Sequence, residues 1–161
     1  MRSIIAYQVN RRSLLTLLSV VVLSLFAIIP AGAQAQGVVT LSANQQLNVG
    51  NQLVSSNARA RLVMQSDGNL VLYRTDTGAA MWSTGTVGKP VAHALMQTDG
   101  NFVLYNADNS VWYWNAGTFG NPGASLQLQD DGNLVIRAQT GIVLWQTNTA
   151  QSWPQIIQQH K

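Results

Sequence analysis

The chain of 161 residues contains no cysteine. Disulfide bonds, thiolate metal ligands, cysteine nucleophiles and a lipid-modified cysteine are therefore excluded. Without covalent cross-links a domain must rely on its hydrophobic core, and a single domain of this length can bury enough apolar surface for that.

Charged residues are also scarce, at 9% of the chain. Three of the nine basic residues, Arg2, Arg11 and Arg12, lie before a long apolar run. From Gln36 onward the chain has six basic and six acidic residues, so the net charge of +3 comes from the segment before Gln36. Neutrality after Gln36 argues against nucleic acid as a partner.

The N-terminal segment has the organisation of a secretory signal peptide. Residues 14–29 form an apolar run without charge, and Ala33 and Ala35 provide an A-x-A cleavage site. We therefore predict a signal peptide at residues 1–35 and a mature domain at residues 36–161, secreted or periplasmic. An uncleaved membrane anchor is the alternative for this run, and the adjacent arginines leave twin-arginine export open.

The remainder of the chain has the pattern of an all-β protein. No segment after the leader shows a helical spacing of apolar residues. Short segments rich in Val and Leu alternate with Gly, Asn, Asp and Ser, which favour turns. Three such segments precede residue 57, at residues 38–41, 47–50 and 53–54.

A nine-residue segment occurs three times, at residues 65–73, 97–105 and 129–137. Its Gln, Asp, Gly, Asn and Val recur at a constant spacing of 32 residues. A fixed period indicates a fold built from one unit used several times. Because a propeller blade usually needs about 40 residues or more, this period favours a compact threefold arrangement of small sheets, with four short strands per repeat.

Each repeat contains a tryptophan, namely Trp82, Trp114 or Trp145, which is followed by a similar short tail. Tryptophans that recur with the repeat fit a shared structural position better than ligand stacking, which is the alternative. We therefore expect all three inside the common core.

Spacing about the Asp-Gly-Asn turn predicts which side chains share a face. A three-residue loop at Asp67, Gly68 and Asn69 places the flanking apolar residues on one side, and Gly and Asn tolerate the left-handed conformation that such loops need. The residues expected to point inward are Met64, Leu70 and Leu72, and in the second copy Met96, Phe102 and Leu104. Those expected to point outward are Gln65, Val71 and Tyr73, and in the second copy Gln97, Val103 and Tyr105.

The predicted outer face combines groups that suit a sugar. A carboxylate accepts hydrogen bonds from hydroxyls, an amide both donates and accepts, and a phenol does either. Valine adds a small apolar surface for the C–H groups of a ring. Turn chemistry alone would account for a single Asp-Gly-Asn, but it does not explain why Gln65, Val71 and Tyr73 recur with the turn.

The sequence does not predict catalysis. Each repeat offers one motif aspartate, whereas a glycosidase needs two carboxylates that flank one bond. Asp130 and Asp131 are adjacent, so their side chains diverge on a strand. His93 and His160 are isolated and complete neither a catalytic triad nor a metal cluster. We therefore expect no enzyme activity, no metal and no cofactor.

The pattern Q-x-D-x-N-x-V-x-Y, complete in two copies and nearly so in the third, resembles that of the bulb-type (monocot-like) mannose-binding lectin family. The resemblance spans residues 38–149. It implies a β-prism II fold, in which three four-stranded sheets surround a pseudo-threefold axis. It also implies a mannose site in each repeat, and hence mannose-containing glycans or cell-surface polysaccharide as partners.

The resemblance further implies a role for each motif residue. Asp67 and Asn69 would hold the axial 2-hydroxyl, while Gln, Tyr and Val would contact the 3-hydroxyl, the 4-hydroxyl and the ring carbons. The complete set of implied carbohydrate-binding residues is Gln65, Asp67, Asn69, Val71 and Tyr73; Gln97, Asp99, Asn101, Val103 and Tyr105; and Gln129, Asp131, Asn133 and Val135.

The third copy departs from the pattern because Arg137 replaces the tyrosine. Arginine donates hydrogen bonds only and adds a positive charge. This site is therefore expected to be weakened, lost, or adapted to a different ligand such as an anionic one.

Two further expectations concern assembly and role. Apolar residues at 152–157 suggest a homodimer through the C-terminal tail, the alternative being a tail folded onto its own chain. The alternative function is a lectin-like bacteriocin or a protein-interaction module on the same scaffold, because a fold does not by itself determine function.

Overall fold

The computed structural model describes residues 38–153, so the predicted signal peptide and residues 154–161 lie outside the described part. Twelve β-strands form three antiparallel sheets of four strands each. This confirms the predicted all-β, β-prism II architecture. Over the same residues, no helix is long and apolar enough to cross a membrane.

The strands fall into an N-terminal group and three groups of three. They are β1 (Val38–Leu41), β2 (Gln46–Asn48) and β3 (Gln52–Val54); β4 (Ala60–Met64), β5 (Leu70–Arg74) and β6 (Ala80–Ser83); β7 (His93–Met96), β8 (Phe102–Tyr105) and β9 (Trp112–Asn115); and β10 (Ser125–Gln129), β11 (Leu134–Arg137) and β12 (Val143–Gln146). The sheet orders are β3-β4-β5-β6, β2-β7-β8-β9 and β1-β10-β11-β12.

Each repeat therefore supplies three strands, and the prediction of four strands per repeat is wrong. The fourth strand of every sheet comes from the N-terminal segment, which contributes β1, β2 and β3 to three different sheets. The remaining residues of a repeat follow its tryptophan and cover the motif turn. In the first repeat the Gly88 amide donates to the Asp67 carbonyl of the turn at 2.7 Å, and the Thr84 amide donates to the Leu70 carbonyl at the start of β5 at 3.0 Å.

The hairpin parity is as predicted. Met64 lies opposite Leu70 in the register, and the predicted inward residues of both copies are fully buried. The loop itself begins one residue earlier than expected, because the Gln65 amide donates to the Asn69 carbonyl at 2.9 Å and thereby encloses residues 66–68. The register moves by one residue on each strand, two residues in total, so the same side chains point inward and outward as predicted.

The three tryptophans contact one another across the sheets. Their ring centroids are 5.5 to 5.7 Å apart, and the planes are inclined by 73° to 75°. Edge-to-face contacts of this kind are favourable for aromatic rings. The rings are only partly buried and pack against the core. The prediction placed them inside the core, whereas the structure places them against it.

Candidate functional site

Two of the three motif copies bring the predicted glutamine and tyrosine into direct contact. Gln65 Nε2 donates to Tyr73 Oη at 2.8 Å, and Gln97 Nε2 donates to Tyr105 Oη at 2.9 Å. The two side chains extend from opposite strands of one hairpin, on the face away from the core. Each pair is half-buried, so it presents hydrogen-bonding groups in a fixed arrangement.

The motif aspartate lies at the apex of the turn. Asp67 Oδ1 accepts a hydrogen bond from the backbone amide of Asn69 at 2.9 Å. The equivalent bonds to Asp99 and Asp131 are 2.9 and 2.8 Å long. This local bond fixes the carboxylate and uses one of its oxygens. Within residues 38–153 the Oδ2 atom of Asp67 has no hydrogen-bond donor, so it can accept bonds from a ligand hydroxyl.

The motif asparagine is largely occupied by its own protein. Asn69 is 8% exposed, and its Oδ1 accepts bonds from Thr84 Oγ1 and from the Thr86 amide, both at 3.1 Å. The described residues provide no acceptor for its Nδ2. Only this amide N–H group is therefore available to a sugar, and the carbonyl oxygen serves to hold the turn.

The segment after each tryptophan fixes the motif turn. Thr86 Oγ1 donates to the Gly68 carbonyl at 2.7 Å, and Thr118 and Thr149 do the same to Gly100 and Gly132 at 2.7 and 2.8 Å. No role was predicted for these threonines, although a threonine recurs four residues after each tryptophan.

The motif glycine is required for two reasons. Gly68 and Gly100 have φ values of +87° and +91°, which side chains with a Cβ rarely adopt. A Cβ at these positions would also lie 2.0 Å from the Lys89 carbonyl oxygen and 2.1 Å from the Asn121 carbonyl oxygen. The covering segment can therefore approach the turn only where the side chain is absent.

The motif valines lie beneath the polar groups and are not exposed. Val71, Val103 and Val135 are 3%, 3% and 1% exposed, although the residues on either side of each belong to the core cluster and the valines do not. They were predicted to point outward. The strand parity agrees with that prediction, but the valines form the floor of the site and offer little open surface.

The third copy assembles differently. Arg137 Nη1 donates to the Gly141 carbonyl at 3.1 Å, so the guanidinium contacts the adjacent hairpin turn. Asn133 Nδ2 donates to Gln146 Oε1 at 3.0 Å, whereas the register places Ser83 and Asn115 at the positions equivalent to Gln146. The third hairpin thus lacks the phenol and also has its asparagine amide engaged.

The start of the C-terminal tail lies against this third turn. Trp153 Nε1 donates to the Asp130 carbonyl at 2.6 Å, and the Gln151 amide donates to the Asp131 carbonyl at 2.7 Å. The Trp153 ring also stacks with the Arg74 guanidinium at 4.9 Å. These contacts concern only the first residues of the tail, and the predicted dimer contact through residues 152–157 stays a prediction.

The chain is similar to several lectins of solved structure. Japanese Marasmius oreades lectin is 34% identical with a TM-score of 0.62, and the match covers 68% of this chain and 90% of that one. A monomeric monocot mannose-binding lectin from Gastrodia elata is 33% identical with a TM-score of 0.59, covering 69% and 97%. The mannose-specific agglutinin from snowdrop (Galanthus nivalis) bulbs, complexed with methyl α-D-mannoside, is 34% identical with a TM-score of 0.54, covering 72% and 99%. No protein-family model and no curated protein sequence matches the chain.

Proposed function

Because the chain belongs to the bulb-type (monocot-like) mannose-binding lectin family, we propose that it binds mannose or mannose-like glycans without catalysis, at the β4–β5 and β7–β8 hairpins. Two of the similar lectins are described as mannose-binding or mannose-specific, which supports this choice of sugar. A single observation carries the assignment to these hairpins. In each of them a glutamine amide and a tyrosine hydroxyl are already hydrogen-bonded beside an exposed aspartate.

In the proposed complex the hydroxyls of one sugar meet this fixed set. Asp67 Oδ2 and Asn69 Nδ2 would hold the axial 2-hydroxyl, since the former accepts and the latter donates. Gln65 and Tyr73 would bond the 3- and 4-hydroxyls, and Val71 would lie below the ring carbons. The second hairpin offers the same groups, whereas the third, with Gln129, Asp131, Asn133 and Val135, is proposed to be a weakened site.

A single site of this kind is shallow and should bind weakly. A dissociation constant of about 1 mM corresponds to only about 4 kcal/mol. Two sites in one chain can act together on a surface that displays many sugars, because the second contact forms at a high effective concentration. A multivalent glycan is therefore the proposed natural target.

The test is titration of methyl α-mannoside into the mature chain, followed by heat and by amide shifts in NMR spectra. Asp67→Asn combined with Asp99→Asn retains an acceptor for the turn and removes the charge, and we expect it to weaken binding at least about tenfold, since bonds to ionised acceptors are the stronger ones. Asp76→Asn combined with Asp108→Asn makes the same charge change at exposed turns elsewhere and should bind as the unchanged chain does.

Unchanged mannoside binding by the motif double variant would refute the assignment of the sites. The same variant distinguishes sugar binding from a bacteriocin or protein-interaction function. Target-cell killing or partner binding that survives the loss of sugar binding would favour the latter. A glycan array on the mature chain would then identify the natural sugar.

We also propose that residues 1–35 are removed on export and that the mature chain is secreted or periplasmic. The apolar run and the A-x-A site support this. Mass spectrometry of the mature N-terminus should find Gln36 as the first residue, and a retained leader would contradict the proposal. The proposed homodimer through the tail predicts that light scattering finds a dimer for the mature chain and a monomer after deletion of residues 154–161.

A further inference from the structure

The outer faces of the three sheets differ in one row of residues. In each sheet this row has three aligned residues. They are one residue of the second strand, the last motif residue on the third strand, and the first paired residue of the fourth strand. These rows are His93, Tyr105 and Trp112; Arg61, Tyr73 and Ala80; and Ser125, Arg137 and Val143. Only the row of the second sheet consists entirely of aromatic rings.

Trp112 is the exposed member of that row. It is 60% exposed, while the two residues that follow it, Tyr113 and Trp114, pack against the core. An irregularity in the β8–β9 register between Leu104 and Tyr105 accompanies this change of side. Extra residues of this kind are known to redirect side chains next to functional sites.

Trp112 lies on the strand next to the second site, because the register pairs it with Tyr105. Paired residues of antiparallel strands are neighbours on the sheet, so Trp112 provides an exposed indole one strand away from Tyr105, which the proposed function places on the sugar. On the other side of this phenol, the His93 ring lies 6.3 Å from it and is buried. The strand on one side of Tyr105 thus pairs it with a buried ring, and the strand on the other side pairs it with the exposed Trp112.

We propose that Trp112 extends the second site to a second pyranose ring, so that this site prefers a disaccharide or longer glycan and the first site does not. This inference rests on the proposed function. A sugar ring has an apolar face of C–H groups, and a rigid indole supplies a large apolar surface with an N–H group that can donate to a hydroxyl. Ala80 and Val143 offer no such surface at the equivalent positions.

The experiment compares a monosaccharide with its dimers, site by site. Asp67→Asn leaves only the second complete site, and Asp99→Asn leaves only the first. Each chain is titrated with methyl α-mannoside and with each of the α-linked mannobioses, and the ratio of the two affinities is the readout. We expect at least one mannobiose to bind the second site about 3- to 10-fold better than the monosaccharide, and the first site to show no such gain.

Four further variants test the indole itself. In the chain with only the second site, Trp112→Ala should remove the gain and Trp112→Phe should retain part of it. Val143→Ala removes an exposed apolar side chain at the equivalent position of the third sheet and should leave the ratio unchanged. In the chain with only the first site, Ala80→Trp should create a gain where none existed.

The outcomes separate the inference from the proposed function. If neither site binds methyl α-mannoside, the proposed function fails and the inference fails with it. If both sites bind it but the ratio is equal, or if Trp112→Ala keeps the gain, only the inference is overturned. It is also overturned if light scattering shows that Trp112→Ala abolishes self-association while the ratio stays as it was, because a second copy of the chain is then the partner of the indole.

Discussion

The first two motif hairpins and the third share one backbone but have different side-chain partners. In the first two, a glutamine meets a tyrosine and the asparagine amide is open to a ligand. In the third, the arginine turns to Gly141 and the asparagine amide meets Gln146. Two hydrogen bonds are present in all three hairpins: the asparagine backbone amide donates to the motif aspartate, and a threonine hydroxyl donates to the glycine carbonyl. The turn is thus maintained by the fold, independently of the groups that would bind a ligand.

The largest expected effect concerns the glycine of the turn. Gly100→Ala places a Cβ 2.1 Å from a backbone oxygen at φ +91°, so both strain and overlap should lower the free energy of unfolding, by about 3 kcal/mol or more in total. At Gly132 the nearest atom belongs to the Trp153 side chain at 2.9 Å. That side chain can move, so Gly132→Ala should cost less, about 1–2 kcal/mol.

Urea denaturation measures both values, and Gly117→Ala serves as the control. Gly117 has φ +70° and no neighbour within 4 Å of a Cβ, so it reports backbone strain without overlap. If Gly100→Ala is no more destabilising than Gly117→Ala, the close approach of the covering segment is not what requires glycine in the motif.

The next effect is the repair of the third hairpin. Arg137→Tyr supplies a phenol opposite Gln129, and Gln146→Ser introduces the residue found at Ser83, which leaves Asn133 Nδ2 unengaged. In a chain that also carries Asp67→Asn and Asp99→Asn, the pair should restore mannoside binding with a dissociation constant of about 1 mM. Each single change should restore less. A folded chain with both changes and no amide shifts on titration would show that other features disable this hairpin.

The smallest effect concerns the outer turns of the repeats. A hydrogen bond from the Arg74 side chain, at 2.7 Å, lowers the pKa of Asp76, and a hydrogen bond from the Ser110 hydroxyl lowers the pKa of Asp108. The third repeat has no acid in residues 138–142. A carboxyl group with a lowered pKa stabilises the folded state at pH values above its ordinary pKa of 3.8. This contribution to the free energy of unfolding is lost as the pH falls through the lowered pKa.

NMR titration of the carboxyl carbons measures these shifts directly. Arg74→Gln should raise the pKa of Asp76 toward its ordinary value and leave Asp108 unchanged, while Ser110→Ala should do the reverse. Because both carboxylates are exposed, the change in stability should be small. A pKa of Asp76 that does not move in Arg74→Gln would mean that the ion pair is not formed in solution.

Much of the hairpin could be predicted from the sequence because alternation is a local property. The positions of Met64 and Leu70, and the meeting of Gln65 with Tyr73, follow from parity alone. The burial of Val71 could not be predicted, since it depends on the strands to either side, where Val63 and Ser83 flank it. The engaged oxygen of Asn69 also depends on a segment about 15 residues away, which no pattern within the motif reveals.

The origin of the fourth strands was equally inaccessible to local reasoning. The sequence indicated three short strands before residue 57, and the structure has three. Nothing in their composition shows that β1, β2 and β3 join three separate sheets, because such pairings are set by the closure of the whole domain. Trp82 and its counterparts were assigned to the core because they recur with the repeat, but their partial exposure depends on how the three rings pack against one another.

The distribution of these N-terminal strands has a consequence for how the protein is made. β1 pairs with β10, joining Val38 to Gln129, so the first strand of the described residues has no partner until the last repeat has been synthesised. Long-range pairing of this kind is slow, because much chain entropy is lost before any contact compensates for it. A chain that ended after two repeats would lack β10, β11 and β12, and its β1 strand would be left unpaired. The last repeat thus supplies the partner strand that β1 needs, whatever ligand its own side chains bind.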